Sequence, residues 1–306
     1  MELKGNRVGP LGFLLCLALM AVIAFATVGG CREGPDKLIL GTAFAGWVAE
    51  DSGLPGEDSL KLTQALREAL GIPVQVYAFD SQTELVRALG AGRADIAVLG
   101  PYAYVLAHDT VGARVILRSA TAGWSGTPSQ VIALASSRFT SVADLAGKLI
   151  GFVDPASPGG YLFPMAHLIR TGLGPSFDPA LVVFLGSEDE VVRAVIDGRV
   201  AAGACPEGAL ARALASMPGV DDALVVITET PPVPGLTVAV RAGLDPALAD
   251  RVKQAIQTTV GSGEGRLAWL ALTGTGGVVE AQNADYDVIR EMCDSLGIDV
   301  EVLAEQ

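Results

Sequence analysis

The sequence predicts an α/β fold of two lobes, each a mostly parallel sheet flanked by helices, with two segments crossing between them. The first observation behind this is a segment written twice. Ser81-Gln-Thr-Glu84-Leu-Val86-Arg87-Ala88, followed by Gly92-Arg93, returns 106 positions later as Ser187-Glu-Asp-Glu190-Val-Val192-Arg193-Ala194, followed by Gly198-Arg199. The second is that each copy stands between apolar runs, 74–79 and 96–99 around the first, 181–185 and 201–205 around the second. The third is composition. A chain that is 50% hydrophobic but only 6% aromatic, with 37 glycines, suits closely packed α/β layers. The period is too long for a solenoid and points to two equivalent lobes with a cleft between them.

Each copied unit reads strand, turn, helix, glycine stop, strand. Ser81 and Ser187 stand at the N-cap, with Glu84 and Glu190 three residues on, the spacing of a reciprocal capping box. Gly92 and Gly198 lie just past the helix ends, where a left-handed residue is least strained as glycine. Units of this kind make parallel crossovers. Ligands of parallel sheets bind at the carboxyl ends of the strands, where helix N-termini point. Residues 80–83 and 186–189 are therefore expected to face one cleft from opposite sides. Capping does not require the matches at Arg87/Arg193 and in the two Gly-Arg pairs, which argue for a real duplication.

Around these units, strands are expected at 38–41, 115–120, 130–135, 149–153, 224–227 and 236–240. Helices are expected at 59–70, 101–108, 162–171, 207–216 and, after the Asp245-Pro246 cap, to 260, with a short capped helix at 141–148. The stretch to 306 reads as helices with a short final extended run. The loop 121–128 and the proline-rich 230–235 read as the two crossings. This gives one lobe from 38–122 plus 236–306 and a second from 123–235.

The N-terminus is a separate matter. Lys4 and Arg7 precede an apolar stretch, 11–28, that ends in Val28-Gly29-Gly30-Cys31, the layout of a secretory signal. It resembles the bacterial lipoprotein signal, which implies cleavage before Cys31 and a lipid on its thiol. Residues 1–30 are then signal, 31–37 tether, and the remainder extracytoplasmic and membrane-anchored. An uncleaved span of about 18 apolar residues would leave the chain on the same side. Loss of 1–30 removes Glu2, Lys4 and Arg7 and moves the net charge from −13 to −14. That balance excludes nucleic acid, which needs a basic face, but not a small anion held by backbone amides. Cys16 belongs to the signal, and Cys205 and Cys293 are expected to be free and buried.

The stretch 154–164 carries the most chemistry. A strand ends, Ser157-Pro158-Gly159-Gly160 exposes amides, and a helix begins at once, placing partial positive charge where an anion would sit. Gly159 and Gly160 allow close approach and Ser157 can donate. Here the sequence resembles a known family. Asp-Leu-x-Gly-Lys at 144–148, Phe152-Val-Asp-Pro-x-Ser157 and Gly160-Tyr-Leu-x-Pro164 are similar to the phosphate-, phosphite- and phosphonate-binding proteins of ABC importers. Gly186-Ser-x-Asp-x-Val-Val-Arg-Ala-Val195, Glu207 and Pro232-x-Pro-x-x-x-Val-Ala-Val-Arg241 continue the likeness. Gly92-Arg-Ala-Asp95 and Leu99-Gly-Pro-x-Ala-Tyr104 carry it into the first lobe. The resemblance spans about 38–260 and implies a periplasmic-binding-protein (type II) fold that closes on its ligand and delivers it to a membrane permease.

Three departures bear on the ligand. The family's Ser-Thr-Ser-Gly loop is here Ser157-Pro158-Gly159-Gly160, phosphonate binders place a histidine where Glu188 stands, and an aromatic is replaced by Leu99. Ser81, Gln82, Tyr102, Ser157, Gly159, Gly160, Tyr161, Glu188 and Glu207 are the expected cleft residues. The Gly159 and Gly160 amides and Ser157 would hold an anionic head, and Glu188 and Glu207 would select its far end, which suits an amino-bearing phosphonate or another zwitterion. The expected partners are that small anionic or zwitterionic ligand, an ABC permease and the membrane, with the chain a monomer. A signalling lipoprotein of the same fold, or a binder of a non-phosphorus zwitterion, is the alternative. No nucleophile–base constellation appears, so neither catalysis nor a cofactor is expected. The acidic run 188–190 reads as dipole pairing at a helix start, and His108 and His167 as packing or surface residues. Trp47, Tyr102 and Trp124 stand in turns near the expected cleft edges.

Overall fold

The computed structural model describes residues 35–44, 46–47, 55–120, 128–175, 177–216, 223–261 and 263–305. The signal segment, Cys31, Trp124 and most of the first crossing lie outside the described residues. Residues 37–306 form one compact unit built on two sheets. The first contains β1 (Leu38–Thr42), β2 (Val74–Ala78), β3 (Ile96–Leu99), β4 (Arg114–Ser119), β10 (Thr237–Val240) and β11 (Val278–Glu280), in the order β11-β4-β10-β3-β1-β2. The second contains β5 (Ser129–Leu134), β6 (Ile150–Phe152), β7 (Val182–Phe184), β8 (Ala202–Pro206) and β9 (Leu224–Glu229), in the order β7-β6-β8-β5-β9. The helices are α1 (Glu57–Leu70), α2 (Gln82–Gly90), α3 (Pro101–Val111), α4 (Phe163–Leu168), α5 (Glu188–Ile196), α6 (Glu207–Ser216), α7 (Pro246–Gly261), α8 (Gly263–Thr273), α9 (Asp287–Leu296) and α10 (Val300–Ala304).

The written duplication is a structural one. β2-α2-β3 flanks β1 with both strands parallel to it, and β7-α5-β8 flanks β6 in the same way. The Phe79 amide donates to Thr42 O at 2.8 Å and Leu185 to Phe152 O at 2.9 Å. Both helices end alike, with Gly92 and Gly198 at φ 70°. Beyond those glycines, Arg93 N–H donates back to Ala88 O and Arg199 N–H to Ala194 O, both at 2.9 Å, closing a Schellman turn. The arginine of each copy then reaches back to the glutamate of its own helix, Arg93 to Glu84 at 3.9 Å and Arg199 to Glu190 at 2.5 Å. That pairing is the physical content of the repeated Gly-Arg.

It also corrects the expected capping box. Ser81 and Ser187 do accept from the Glu84 and Glu190 amides, at 3.1 and 3.2 Å. The reciprocal half is absent. Glu84 takes the Asp80 amide instead, and Glu190 is held by Arg199. A complete box forms at Ser141 and Asp144.

Each sheet is mixed rather than parallel throughout, and the crossings explain it. β10 enters the first sheet with Thr237 opposite Leu99, the carboxyl end of β3, and so runs antiparallel to it. β5 enters the second with Ser129 opposite Pro206, the end of β8. Ser129 and Thr230 lock this edge by exchanging two hydrogen bonds: Ser129 N–H to Thr230 Oγ1 and Thr230 N–H to Ser129 O, both 2.9 Å. Ser119 N–H donates to Leu236 O at 2.8 Å on the other side. Residues 231–235 span the interval.

Side-chain alternation divides each sheet's core. Leu40, Ile96 and Val98 meet α1, α7 and α8 on one face, and Ala97 and Leu99 meet α2, α3 and α9 on the other. In the second sheet Val131, Ile150 and Phe152 face α4, while Ile132 and Cys205 face α5 and α6. Trp47 is fully buried in the first-lobe core, with its indole N–H on Leu272 O, so it packs rather than edging the cleft. Cys205 and Cys293 are free and buried.

The C-terminal segment differs from expectation in two places. A short strand, β11, extends the first sheet beside β4. The final run is α10 rather than extended backbone, because Asp299 caps it through the Glu301 amide at 2.9 Å. Replacing Gly92 or Gly198 by alanine forces a Cβ into the left-handed region and is expected to lower stability by about 1 kcal/mol each, read as a reduced urea midpoint at unchanged slope.

Candidate functional site

The second-lobe turn is fixed by two prolines and two glycines acting together. Ser157 caps the helical run, accepting from the Gly160 amide at 3.0 Å, and Pro158 opens it without needing a donor. Pro164 has no N–H to give to Gly160 O, so the ladder widens to i→i−5, with Leu162 N–H on Ser157 O and Phe163 N–H on Pro158 O. The freed Gly160 carbonyl takes the Val153 amide at 3.1 Å, stitching the turn to the end of β6. A Cβ on Gly160 would lie 2.4 Å from Val153 Cγ2, so only glycine fits. The helix expected at 162–171 thus starts earlier, at Pro158, and runs through π turns on both sides of α4.

This geometry revises the expected anion cradle. The Gly160 amide is occupied by Ser157 Oγ, so it is not available to a ligand. The Ser157 hydroxyl proton and the Gly159 amide remain, and among the described residues the latter has no acceptor. Gly159 faces Ser129 and Pro206: a Cβ built on it would stand 3.4 Å from Ser129 Oγ and 3.2 Å from Pro206 Cγ. Ser129, only 2% exposed, stands beside the turn and was not among the residues expected there. Nothing local marks it; its place comes from strand pairing with Pro206.

Tyr161 packs edge-on to Phe152 and Phe184, at 5.1 and 5.0 Å between centroids. These rings form an aromatic floor at the carboxyl ends of β6 and β7, and burial raises the Tyr161 hydroxyl above its usual pKa.

The first lobe brings Ser81, Gln82 and Tyr102 together. Gln82 Oε1 accepts the Gly100 amide at 3.2 Å, tying the start of α2 to the N-cap of α3, whose second residue is Tyr102. The Tyr102 ring lies parallel to Phe163 at 6.2 Å, so α3 meets the helical run that the Ser157 turn begins. The Tyr102 hydroxyl is buried without a hydrogen-bond partner, and desolvation pushes its pKa far above the ordinary tyrosine value. Ser81 Oγ lies 3.0 Å from Thr83 Oγ1.

The two carboxylates have different surroundings. Glu188 Oε2 is 2.5 Å from Arg212 Nη2, so its charge has a partner within the chain. Glu207 is exposed at the start of α6, its amide donating to Pro128 O at 3.2 Å. His108 pairs with Asp109, and His167 Nε2 contacts Thr228 Oγ1 at 2.8 Å; neither joins the candidate site. Among the described residues no cluster of three or more His, Cys, Asp or Glu is placed to hold a metal ion, and no helix is long and apolar enough to cross a membrane.

Two mixed sheets of this topology, each flanked by helices, make up the two-lobed fold of type II periplasmic binding proteins. The family described as the periplasmic substrate-binding protein of phosphonate ABC transporters matches residues 57–286, and the chain belongs to it. The phosphate-import protein PhnD of Mycolicibacterium smegmatis is 27% identical over 255 residues, covering 77% of this chain and 79% of that protein. Among solved structures, XAC2383 from Xanthomonas citri bound to ATP shares the fold at a TM-score of 0.55 with 21% identity, over 88% of this chain and 98% of that one. The same protein bound to chloride ion gives 0.54 and 21%, over 88% and 99%. The chain is thus an extracytoplasmic substrate-binding protein of the phosphonate ABC-transporter family.

A buried hydroxyl with no partner costs about 1–3 kcal/mol. Tyr102→Phe is therefore expected to raise the melting temperature of the ligand-free protein, by an amount equivalent to about 1 kcal/mol. An unchanged or lowered melting temperature would show that the hydroxyl is solvated.

Proposed function

We propose that this chain captures a small phosphorus oxyanion, phosphate or a simple phosphonate, between the Ser157 turn and Tyr102, and that the lobes close on it before delivery to the permease. The observation that carries the reading is a pair of donors without acceptors, one from each lobe: the Gly159 amide and the Tyr102 hydroxyl. Donors that the protein leaves unpaired call for an acceptor from outside, and an oxyanion is a strong one. Ser129 and Ser157 add hydroxyls beside Gly159, while Ser81 and Gln82 line the facing helix start. Contacts from both lobes exist together only when the lobes are closed, so the ligand shifts the population toward that state. The pairing of Glu188 with Arg212 favours a plain oxyanion over an amino-bearing one. Glu207, exposed at the start of α6, and Tyr161, on the aromatic floor, complete the second-lobe wall. Anchoring through a lipidated Cys31, with the chain acting as a monomer, fits the signal pattern at 28–31.

A thermal-shift panel of phosphate, phosphite, methylphosphonate, aminoethylphosphonate and glycine betaine tests this directly. A phosphorus oxyanion at 100 times its Kd should stabilise the protein by about 2.7 kcal/mol. Stabilisation by glycine betaine alone would sink the reading. Within the site, Ser157→Ala should weaken phosphate roughly tenfold. Gly159→Ala should bind worse still, because the methyl group enters the space beside Ser129. Separately, Cys31→Ser in the full-length chain should move the protein from the membrane fraction to the soluble one after expression in the native host type.

A further inference from the structure

We propose that Arg212 is the cationic group of the binding cleft, held by Glu188 in the ligand-free protein and exchanged onto the ligand's oxyanion on binding. This rests on the oxyanion reading above and adds a specificity determinant to it. The placement comes first. α6 begins at the end of β8, and Pro206 is the residue that a Cβ on Gly159 would touch. Arg212 lies on the second turn of α6 and folds back toward its start, with Nη1 3.6 Å from a Cβ built on Gly208. Its Nη2 meets Glu188 at the first position of α5, 2.5 Å away. Both helix starts lie at the carboxyl edge of the second sheet, the edge that carries the Ser157 turn. Burial raises the pKa of the Cys205 thiol near the end of β8, with Glu188 raising it further and Arg212 lowering it.

The second step is the charge inventory. Among the described residues, the other basic side chains of this lobe are elsewhere. Arg138 and Lys148 follow β5 and precede β6 at the far edge, Arg193 and Arg199 stand at the other end of α5, and Arg170 pairs with Glu291. Arg212 is the cation at the ligand edge. Its side chain is 67% exposed, and an ion pair in water is weak, so Glu188 holds it without trapping it. A guanidinium presents two parallel donors to a phosphoryl group and gains strength when closure removes water.

The duplication gives the third step. Gln82 occupies in α2 the position that Glu188 occupies in α5, and it spends its side-chain oxygen on a backbone amide, Gly100. The second copy places a carboxylate there and a movable cation opposite. In a chain of net charge −13, that arrangement pairs the Glu188 charge in the empty site and frees the guanidinium for an anion able to displace Glu188.

Isothermal titration of the full chain with inorganic phosphate and with methylphosphonate, at low and high salt, tests the proposal in wild type, Arg212→Gln and Glu188→Gln. Arg212→Gln is expected to raise Kd roughly tenfold and to flatten its salt dependence, while Glu188→Gln lowers Kd a few-fold by releasing the guanidinium. Unchanged affinity in Arg212→Gln, with wild type still binding, overturns this proposal alone. So does an equal loss in both variants, which would make the pair a clasp between helices. If wild type binds neither phosphate nor methylphosphonate, the oxyanion reading falls and takes this proposal with it.

Discussion

Both chain crossings enter and leave the sheets at the carboxyl ends of the parallel strands, and the remaining architecture follows from that. Thr237 stands opposite Leu99 and Arg118 in the first sheet, and Ser129 opposite Pro206 in the second, with Gln130 opposite Glu229. The same edges receive the starts of α2, α3, α5 and α6, because a helix that connects parallel strands must begin where the preceding strand ends. The crossings and the helix starts therefore share one edge in each lobe. Ser129 expresses the coupling directly: its backbone is bound to Thr230 at the crossing, and its side chain faces Gly159 in the turn. A movement of the crossing strand is a movement of the site.

The second-lobe turn is rigid for reasons that a list of donors would hide. Pro164 frees the Gly160 carbonyl for Val153, Ser157 consumes the Gly160 amide, and the steric limit at Gly160 keeps the backbone against β6. One amide, that of Gly159, is left over, aimed by a turn that cannot relax. The other lobe offers Tyr102 from a helix already in contact with this run through Phe163. Behind them, Phe163 and Ala166 share a core with Ile289 and Met292 of α9, and Arg170 pairs with Glu291. Apolar contact on that flank and polar groups at the helix starts divide the interface between the lobes into a packed part and a polar part.

Most of the strands and helices were legible because their signals are local. Serine caps, glycine stops and apolar runs all act within about five residues, and α6 appears at the boundaries its pattern gives. The misreadings arise where local rules compete. The end of the chain reads as a short extended run, yet Asp299 caps a helix there. The turn at 157–160 reads as a row of free amides, yet its own serine occupies one. Glu84 and Glu190 have the spacing of a capping box, but arginines past the helix end compete for them and, at Glu190, win. What could not be read locally was long-range pairing: Ser129 with Gly159, and Glu188 with Arg212, 24 residues on.

That last pair changes how the duplication bears on specificity. Read as sequence, Gln82 and Glu188 are two differing tips, one neutral and one acidic, and the acidic one suggests a cationic ligand group. Read as structure, each tip is half of a contact to the next helix. The Gln82 contact ends on a backbone amide and is complete. The Glu188 contact ends on an exposed guanidinium, which has donors to spare and room to move. The carboxylate therefore reports on the charge of its neighbour rather than of the ligand. In an acidic chain, a cation kept beside an acid until a stronger acceptor arrives is compatible with anion capture in a way that a lone glutamate is not. The shared positions of the two copies build the helix starts, and the difference between them determines whether a start is tied to a backbone amide or to a guanidinium.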